Sequence, residues 1–275
     1  MAQNPIFNRL DKEAARGYAG FDRRGNAAGP QDLSAAQLQD LYSQPSATNV
    51  QSRRLTMDDV VMKALGLFAI VLVTAAAAWF VSAGDATGST GLALWMGGMF
   101  GTLALGFVIA FKKVVSVPLI VLYAVLEGAF VGAVSQFFEA RWDGAVPTAV
   151  VATISVFLAM FAGYKLGFIK VTNKFRRMMG MAILGYFIFA LINLGFAFAG
   201  FGGGWGAFGT GIGPLISLFA IGLAAFSLAM DFDSIDRAVR AGAPEKYSWL
   251  LAHGLIVTLV WLYIEILRLI AITRD

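Results

Sequence analysis

An all-α, polytopic membrane protein with seven transmembrane helices is the fold class this sequence predicts. Three observations predict it. The composition is 58% hydrophobic and only 14% charged over 275 residues, beyond what soluble domains usually reach. Seven apolar runs recur along the chain, each near the roughly 20 residues a spanning helix needs. The loops between the runs alternate between basic and nearly uncharged.

The first fifty residues differ from the rest. Residues 1–55 are polar with mixed charge and read as a flexible cytoplasmic tail, with 56–275 as the membrane domain. The tail carries no apolar core of the signal-peptide kind, so it is not read as a cleaved leader. Its segments 25–30 and 43–46 are turn-rich, and 34–42 suits a short helix. Thr56 followed by Asp58 and Asp59 reads as a helix start, a threonine cap with acids in the first turn.

The seven runs are 60–82, 91–111, 114–138, 146–169, 178–199, 212–230 and 248–272. Small residues four apart, Gly97 with Gly101 and Gly128 with Gly132, suit close helix packing in lipid. Lys112 and Lys113 follow the second run, and Lys165, Lys170, Lys174, Arg176 and Arg177 surround the end of the fourth. Arg237, Arg240 and Lys246 follow the sixth. The alternate loops, 84–90, 139–144 and 200–211, hold one basic residue, Arg141. The positive-inside rule then places the N-terminus and the basic loops in the cytoplasm and Asp275 outside. The glycine-rich loop 200–211 lacks the lysine of a phosphate loop and reads as flexible backbone.

Several chemistries have no support. The chain has no cysteine, which excludes disulfides, thiolate metal sites and cysteine nucleophiles. It has one histidine and neither a nucleophile elbow nor an intramembrane Gly-x-Gly-Asp motif, so no enzyme and no cofactor are expected. The basic residues form no stripe, so no nucleic-acid partner is expected. The lipid bilayer is the expected partner, with a protein partner through the tail as a second one.

The candidate site residues are polar groups at depth. Glu127 lies within the third run with no basic residue within a helical turn. A carboxylate there costs about 2.5–3.5 kcal/mol on insertion scales and marks an ion or proton path. It also fits a protonated carboxyl hydrogen-bonded to a neighbouring helix. Depths counted at about 1.5 Å per residue put Glu127, Glu265 and Asn193 in one outer layer. Asp231, at the end of the sixth run, falls near the cytoplasmic face. This suggests two acidic stations on one path, an outer Glu127/Glu265 layer and an inner Asp231. Oxygen-only ligands favour a hard, transiently held cation such as calcium at Glu127, Asp231 and Glu265. Glu265 alternatively pairs locally with Arg268, three residues on. Asn193 reads as a helix–helix hydrogen-bonding group. Asp233 with Arg237, and Asp236 with Arg240, are surface pairs at i,i+4, which leaves Asp231 as the unpaired acid. His253 lies at a depth similar to Asp231, either packed or acting as its pH partner.

The segment Met230-Asp231-Phe232-Asp233-Ser234-Ile235, closing the sixth of seven runs, resembles the Bax inhibitor family, also called the transmembrane Bax inhibitor motif family. The stretch from Tyr123 through Glu127, Gly128 and Gly132 to Ser135 resembles its bacterial YccA-like branch. So do Phe168 to Arg177, the ending Ile272-Thr273-Arg274-Asp275, and the start Asn4-Pro5-Ile6-Phe7. The resemblance covers about residues 56–275. It implies a seven-helix fold with a central last helix and a pH-sensitive calcium leak in the cell (inner) membrane. It also implies an aspartate pair as the pH-sensing gate, the first member matching Asp231. Two registers compete for the second. The local pattern Leu262-Tyr263-Ile264-Glu265 selects Glu265, whereas anchoring on Arg268 selects Thr258. Depth favours Thr258, in which case the paired-carboxylate gate is missing here. The family's other implied role is regulation of a membrane protease or stress response without transport.

Overall fold

The computed structural model describes residues 53–112 and 114–274. The expected tail helix at 34–42, the turns at 25–30 and 43–46, Lys113 and Asp275 lie outside the described residues, as does any contact made by residues 1–52.

Seven α-helices make up the described chain: α1 (Met57–Gly84), α2 (Ser89–Phe111), α3 (Val117–Arg141), α4 (Ala145–Lys165), α5 (Asn173–Phe198), α6 (Gly213–Arg240) and α7 (Tyr247–Arg274). Each is long and apolar enough to cross a membrane. In hydrocarbon a helix satisfies its backbone polar groups internally, which is why such runs adopt no other form. The chain is therefore a seven-span helical membrane protein, as predicted.

Local signals set several ends. Thr56 caps α1 in a reciprocal box: its hydroxyl accepts from the Asp59 amide, and the Asp59 carboxylate accepts from the Thr56 amide at 3.0 Å. Pro118 starts the first turn of α3 and Pro214 that of α6, where no amide donor is needed. Thr172 caps α5 through the Phe175 amide. At the opposite end of the bundle, Glu139 accepts from the Gly144 and Val146 amides, both at 2.8 Å. An α3 carboxylate thus caps α4.

The last helix is central. α7 packs on α1, α3, α4 and α6, and half of its most apolar stretch is buried. α2 lies against α3, and α5 sits at the periphery beside α6. Two rungs tie α7 to α3: the Tyr123 and His253 rings meet edge-on at 4.4 Å, and Ser135 Oγ lies 2.7 Å from Tyr263 Oη. Both helices therefore run in the same direction, with a register offset of nearly constant size.

Glycine packing is partly as expected. A Cβ on Gly128 would strike Thr74 and the Val71 carbonyl, and one on Gly132 the Ala75 backbone. These two glycines let α1 and α3 touch backbone to backbone. Across the α2–α3 contact the pair is Gly98 with Gly101, facing Phe130 and Leu126. Gly97 faces open space, so the expected Gly97/Gly101 pair is corrected by one residue.

Two further expectations change. The loop 200–211 folds into two 3-10 turns, Phe201–Gly204 and Gly206–Gly209, with positive φ at Gly200, Gly202, Gly203, Gly204 and Gly206. It is built backbone rather than loose chain. Residues 53–55, placed with the tail from sequence, are fastened to the bundle: the Leu55 amide donates to the Ala243 carbonyl at 2.7 Å.

Candidate functional site around the last helix

The sixth helix does not stop where its hydropathy stops. The apolar run ends at Met230, but α6 continues to Arg240. Its last turns carry surface ion pairs: Asp233 with Arg237 at 3.0 Å, Asp236 with Arg240 at 2.6 Å, and Asp233 with Arg176 of α5 at 2.7 Å. The first two are the i,i+4 pairs the sequence predicts; the third joins residues far apart in the chain. Asp231 consequently sits nine residues inside the helix end, about 14 Å up. Two residues on, Asp233 pairs with Arg176 and Arg237, so Asp231 stays on the basic side of the bundle, inside the helix rather than at its end.

Thr258 of α7 is the side chain that faces the Asp231 carboxyl. Asp231 Oδ2 is buried and has no hydrogen-bond partner among the described residues. The Thr258 hydroxyl also donates to the Gly254 carbonyl at 3.1 Å. Counted from Tyr247, Thr258 is about 17 Å up, close to the Asp231 level.

Glu127 reaches the same level from α3. It lies ten residues from Val117, about 15 Å up, and the two α3–α7 rungs place it opposite residues 256 and 257. It is 5% exposed, with Tyr123 as its side-chain neighbour. His253 is buried one and a half turns below Thr258, its ring against Tyr123 on the α3 face of the last helix. The structure thus brings Asp231, Thr258 and Glu127 to one level around α7, with His253 beneath.

Glu265 belongs elsewhere. It lies seven residues beyond Thr258, about 10 Å further along α7, and faces α5. Its carboxylate accepts from Tyr186 Oη at 2.5 Å, Trp261 Nε1 at 3.2 Å and Arg268 at 2.8 Å. Arg268 also reaches Tyr186 Oη at 3.4 Å and covers the Phe208 ring at 4.3 Å. The expected Glu127/Glu265 layer is therefore corrected: the two carboxylates occupy different levels and different faces. The Glu265–Arg268 pair predicted as the alternative is present.

Asn193 likewise leaves the proposed layer. Five residues from the end of α5, its Oδ1 accepts from the Ala207 amide at 2.6 Å and its Nδ2 donates to the Trp205 carbonyl at 3.3 Å. It pins the glycine-rich turns. No three His, Asp or Glu side chains among the described residues converge on one metal position. The outer Glu127/Glu265 layer expected to hold calcium transiently is not formed, since the two acids lie on different faces.

Sequence reasoning passed over Tyr186, Tyr123 and Trp261. Tyr123 and Trp261 each lie four residues before the acid they accompany, so helical spacing was enough to find them. Tyr186 meets Glu265 across 79 residues of chain, and no local signal marks it.

Apolar layers bound the Asp231–Thr258 level. Leu228 and Leu262, one turn beyond it, belong to a buried core with Phe138, Ala224 and Leu267. Ile235 and Leu251, one and two turns on the basic side, belong to another with Leu55, Val60 and Tyr247.

The fold and this arrangement define a seven-span helical membrane protein with buried carboxyls around a central last helix. The family model described as Bax inhibitor 1 like matches residues 4–275, and the chain belongs to that family. The match extends well beyond the 56–275 stretch on which the resemblance was seen. Searches among curated proteins and solved structures return no match.

Proposed function

We propose that the protein is a cation leak pathway of the cell membrane, without enzymatic activity, that favours calcium and responds to pH. The basic end faces the cytoplasm on this reading. The observation that carries it is Asp231 Oδ2, a buried carboxylate oxygen with no partner among the described residues, beside Thr258 and level with Glu127. A buried acceptor without a partner costs about 1–3 kcal/mol, and ionisable residues kept at membrane depth mark ion or proton paths. Hard oxygen donors suit calcium. A proton and a cation compete for the same carboxylate oxygens, so flux depends on pH. On this reading, the apolar layers on either side of the station suit a pathway closed at rest. The family membership supports this reading at the level of fold. Thr258 in the second gate position leaves one carboxyl where the resemblance implies two, and Glu127 is a second buried acid at that level.

The test is calcium flux into proteoliposomes across a pH series for wild type, Asp231→Asn and Glu127→Gln. The expected result is a pH-dependent flux that Asp231→Asn alters most. Folded protein with no flux above empty liposomes overturns the proposal and favours a regulatory role for the membrane domain and its N-terminal segment.

A further inference from the structure

Residues 53–55 lie across the loop joining α6 to α7. The Leu55 amide donates to the Ala243 carbonyl at 2.7 Å, and the Glu245 amide donates to the Arg53 carbonyl at 3.0 Å. Arg54 and Pro244 face each other in a single antiparallel bridge. Side chains reinforce the pairing. Arg53 binds Asp59 at 3.0 Å, Lys63 binds Glu245 at 2.9 Å, and longer contacts, Arg53 to Glu245 at 3.8 Å and Lys63 to Asp59 at 3.9 Å, close a four-member charge ring. The Lys63 ammonium also lies over the Trp249 ring of α7 at 5.9 Å.

What this pairing holds in place is Leu55, 3% exposed. Its side chain packs with Ile235 and Ala238 of α6 and with Tyr247 and Leu251 of α7. Ile235 is one turn from Asp231, and Leu251 two turns from Thr258. The leucine is therefore wedged between the two helices that carry the station, on its basic side. An apolar plug of this kind excludes hydrated ions, and it is held by hydrogen bonds and ion pairs from one short extended segment.

We propose that residues 53–55 form a strap that keeps the basic-end mouth of the Asp231–Thr258 station closed, with Leu55 as its plug and the Arg53–Asp59–Lys63–Glu245 ring as its clasp. The inference rests on the reading above that a cation passes Asp231. Opening then requires the strap to lift from the α6–α7 loop, so whatever acts on the segment before Arg53 acts on conduction. The ring is partly solvent-accessible, with the Arg53 side chain 59% exposed. The contacts of the exposed Arg53 are each worth little by themselves, which suits a closure that must release.

The experiment uses the chain's lack of cysteine. Arg54 and Pro244 are a non-hydrogen-bonded antiparallel pair, whose Cα atoms lie about 4.5 Å apart, within disulfide range. In Arg54→Cys/Pro244→Cys protein in proteoliposomes, oxidation is expected to lower calcium flux about tenfold and reduction to restore it. In Arg53→Gln/Glu245→Gln protein, which loses three of the ring's four ion pairs, flux is expected to rise about two- to fivefold, the scale of losing weak, partly exposed pairs. A separate readout needs no conduction. Thr258→Cys, labelled by a membrane-impermeant thiol reagent from the basic side, is expected to be protected with the strap intact and labelled in the Gln/Gln background. Equal flux in the oxidised and reduced cross-link, or equal labelling with and without the clasp, overturns the strap. Labelling that follows the clasp in protein that conducts nothing upholds the strap and overturns the leak pathway instead.

Discussion

The hydroxyls of Ser135 on α3 and Tyr263 on α7 lie 2.7 Å apart in the buried core. This one bond sets the register of the third helix against the last. With the Tyr123–His253 ring contact, it carries Glu127 to the level of Thr258 and leaves Glu265 about 10 Å beyond. The bond's partners are 128 residues apart in the chain.

Removing one member of that pair leaves the other buried without a partner. Tyr263→Phe is expected to lower stability in detergent by about 1–2 kcal/mol, and Ser135→Ala by a similar amount. The double variant is expected to cost less than the sum of the two, because neither polar atom is then left behind. Thermal unfolding of the four proteins closes the cycle, and strict additivity would show that the bond contributes nothing.

Glu265 is expected to be a structural acid rather than a conducting one. Its side chain is 3% exposed and held by Arg268, with Tyr186 and Trp261 completing its bonds. Arg268→Met strands a buried carboxylate and is expected to cost about 3–5 kcal/mol. Arg268→Met with Glu265→Gln is expected to recover much of that loss and to leave the pH profile of flux unchanged. A shifted profile in the double variant would return Glu265 to the path.

Two glycine substitutions are expected to move stability in opposite directions. At Gly132 a Cβ meets the Ala75 backbone, which cannot turn aside, so Gly132→Ala should separate α1 from α3 at a cost of about 1–3 kcal/mol. At Gly180 of α5 nothing lies within 4 Å. Gly180→Ala should raise stability by up to about 1 kcal/mol through helix propensity. Unfolding midpoints in one detergent compare them directly.

Acid dependence at the loop between α1 and α2 follows from Asp85, a partly exposed residue outside the spans. The Thr87 hydroxyl at 2.6 Å, with the Thr90 and Thr87 amides at 2.7 and 2.9 Å, holds its carboxyl well below the usual carboxylate range. A depressed folded pKa contributes stability above the unfolded value, about 3.9, and loses it as the pH falls toward the folded one. The wild type is therefore expected to be more stable than Asp85→Ala at neutral pH, with the difference shrinking below about pH 4. An unfolding-midpoint series from pH 7 to 2 reads it; a constant difference would mean the charge is irrelevant.

Much of the architecture was legible because membrane spans follow from local composition. Apolar length marked seven helices, loop lysines and arginines separated the two ends, and Thr56 announced the start of α1. The pairs Asp233–Arg237 and Asp236–Arg240 were also legible, since helical spacing alone brings them together. Asp231 was singled out by lacking such a partner.

Depth was where local reasoning failed. Hydropathy ends at Met230, yet α6 runs to Arg240, because a charged helical turn at a surface keeps its backbone bonds and pairs its side chains. Asp231 is therefore an interior residue of α6 rather than part of its last turn. Glu127 and Glu265 seemed to share a layer when each was counted from its nearest basic loop, but helix ends and packing offsets set true levels.

What the sequence by itself determined is the set of spans, their alternating charge and the acids available at depth, all properties of residues within a few turns of one another. Only the tertiary structure decided which acids meet. The Tyr186–Glu265 bond, the Asp231–Thr258 juxtaposition and the strap of residues 53–55 on 243–245 join positions far apart in the chain. Their partners are chosen by how seven helices pack around α7, and helical periodicity carries no information about that choice.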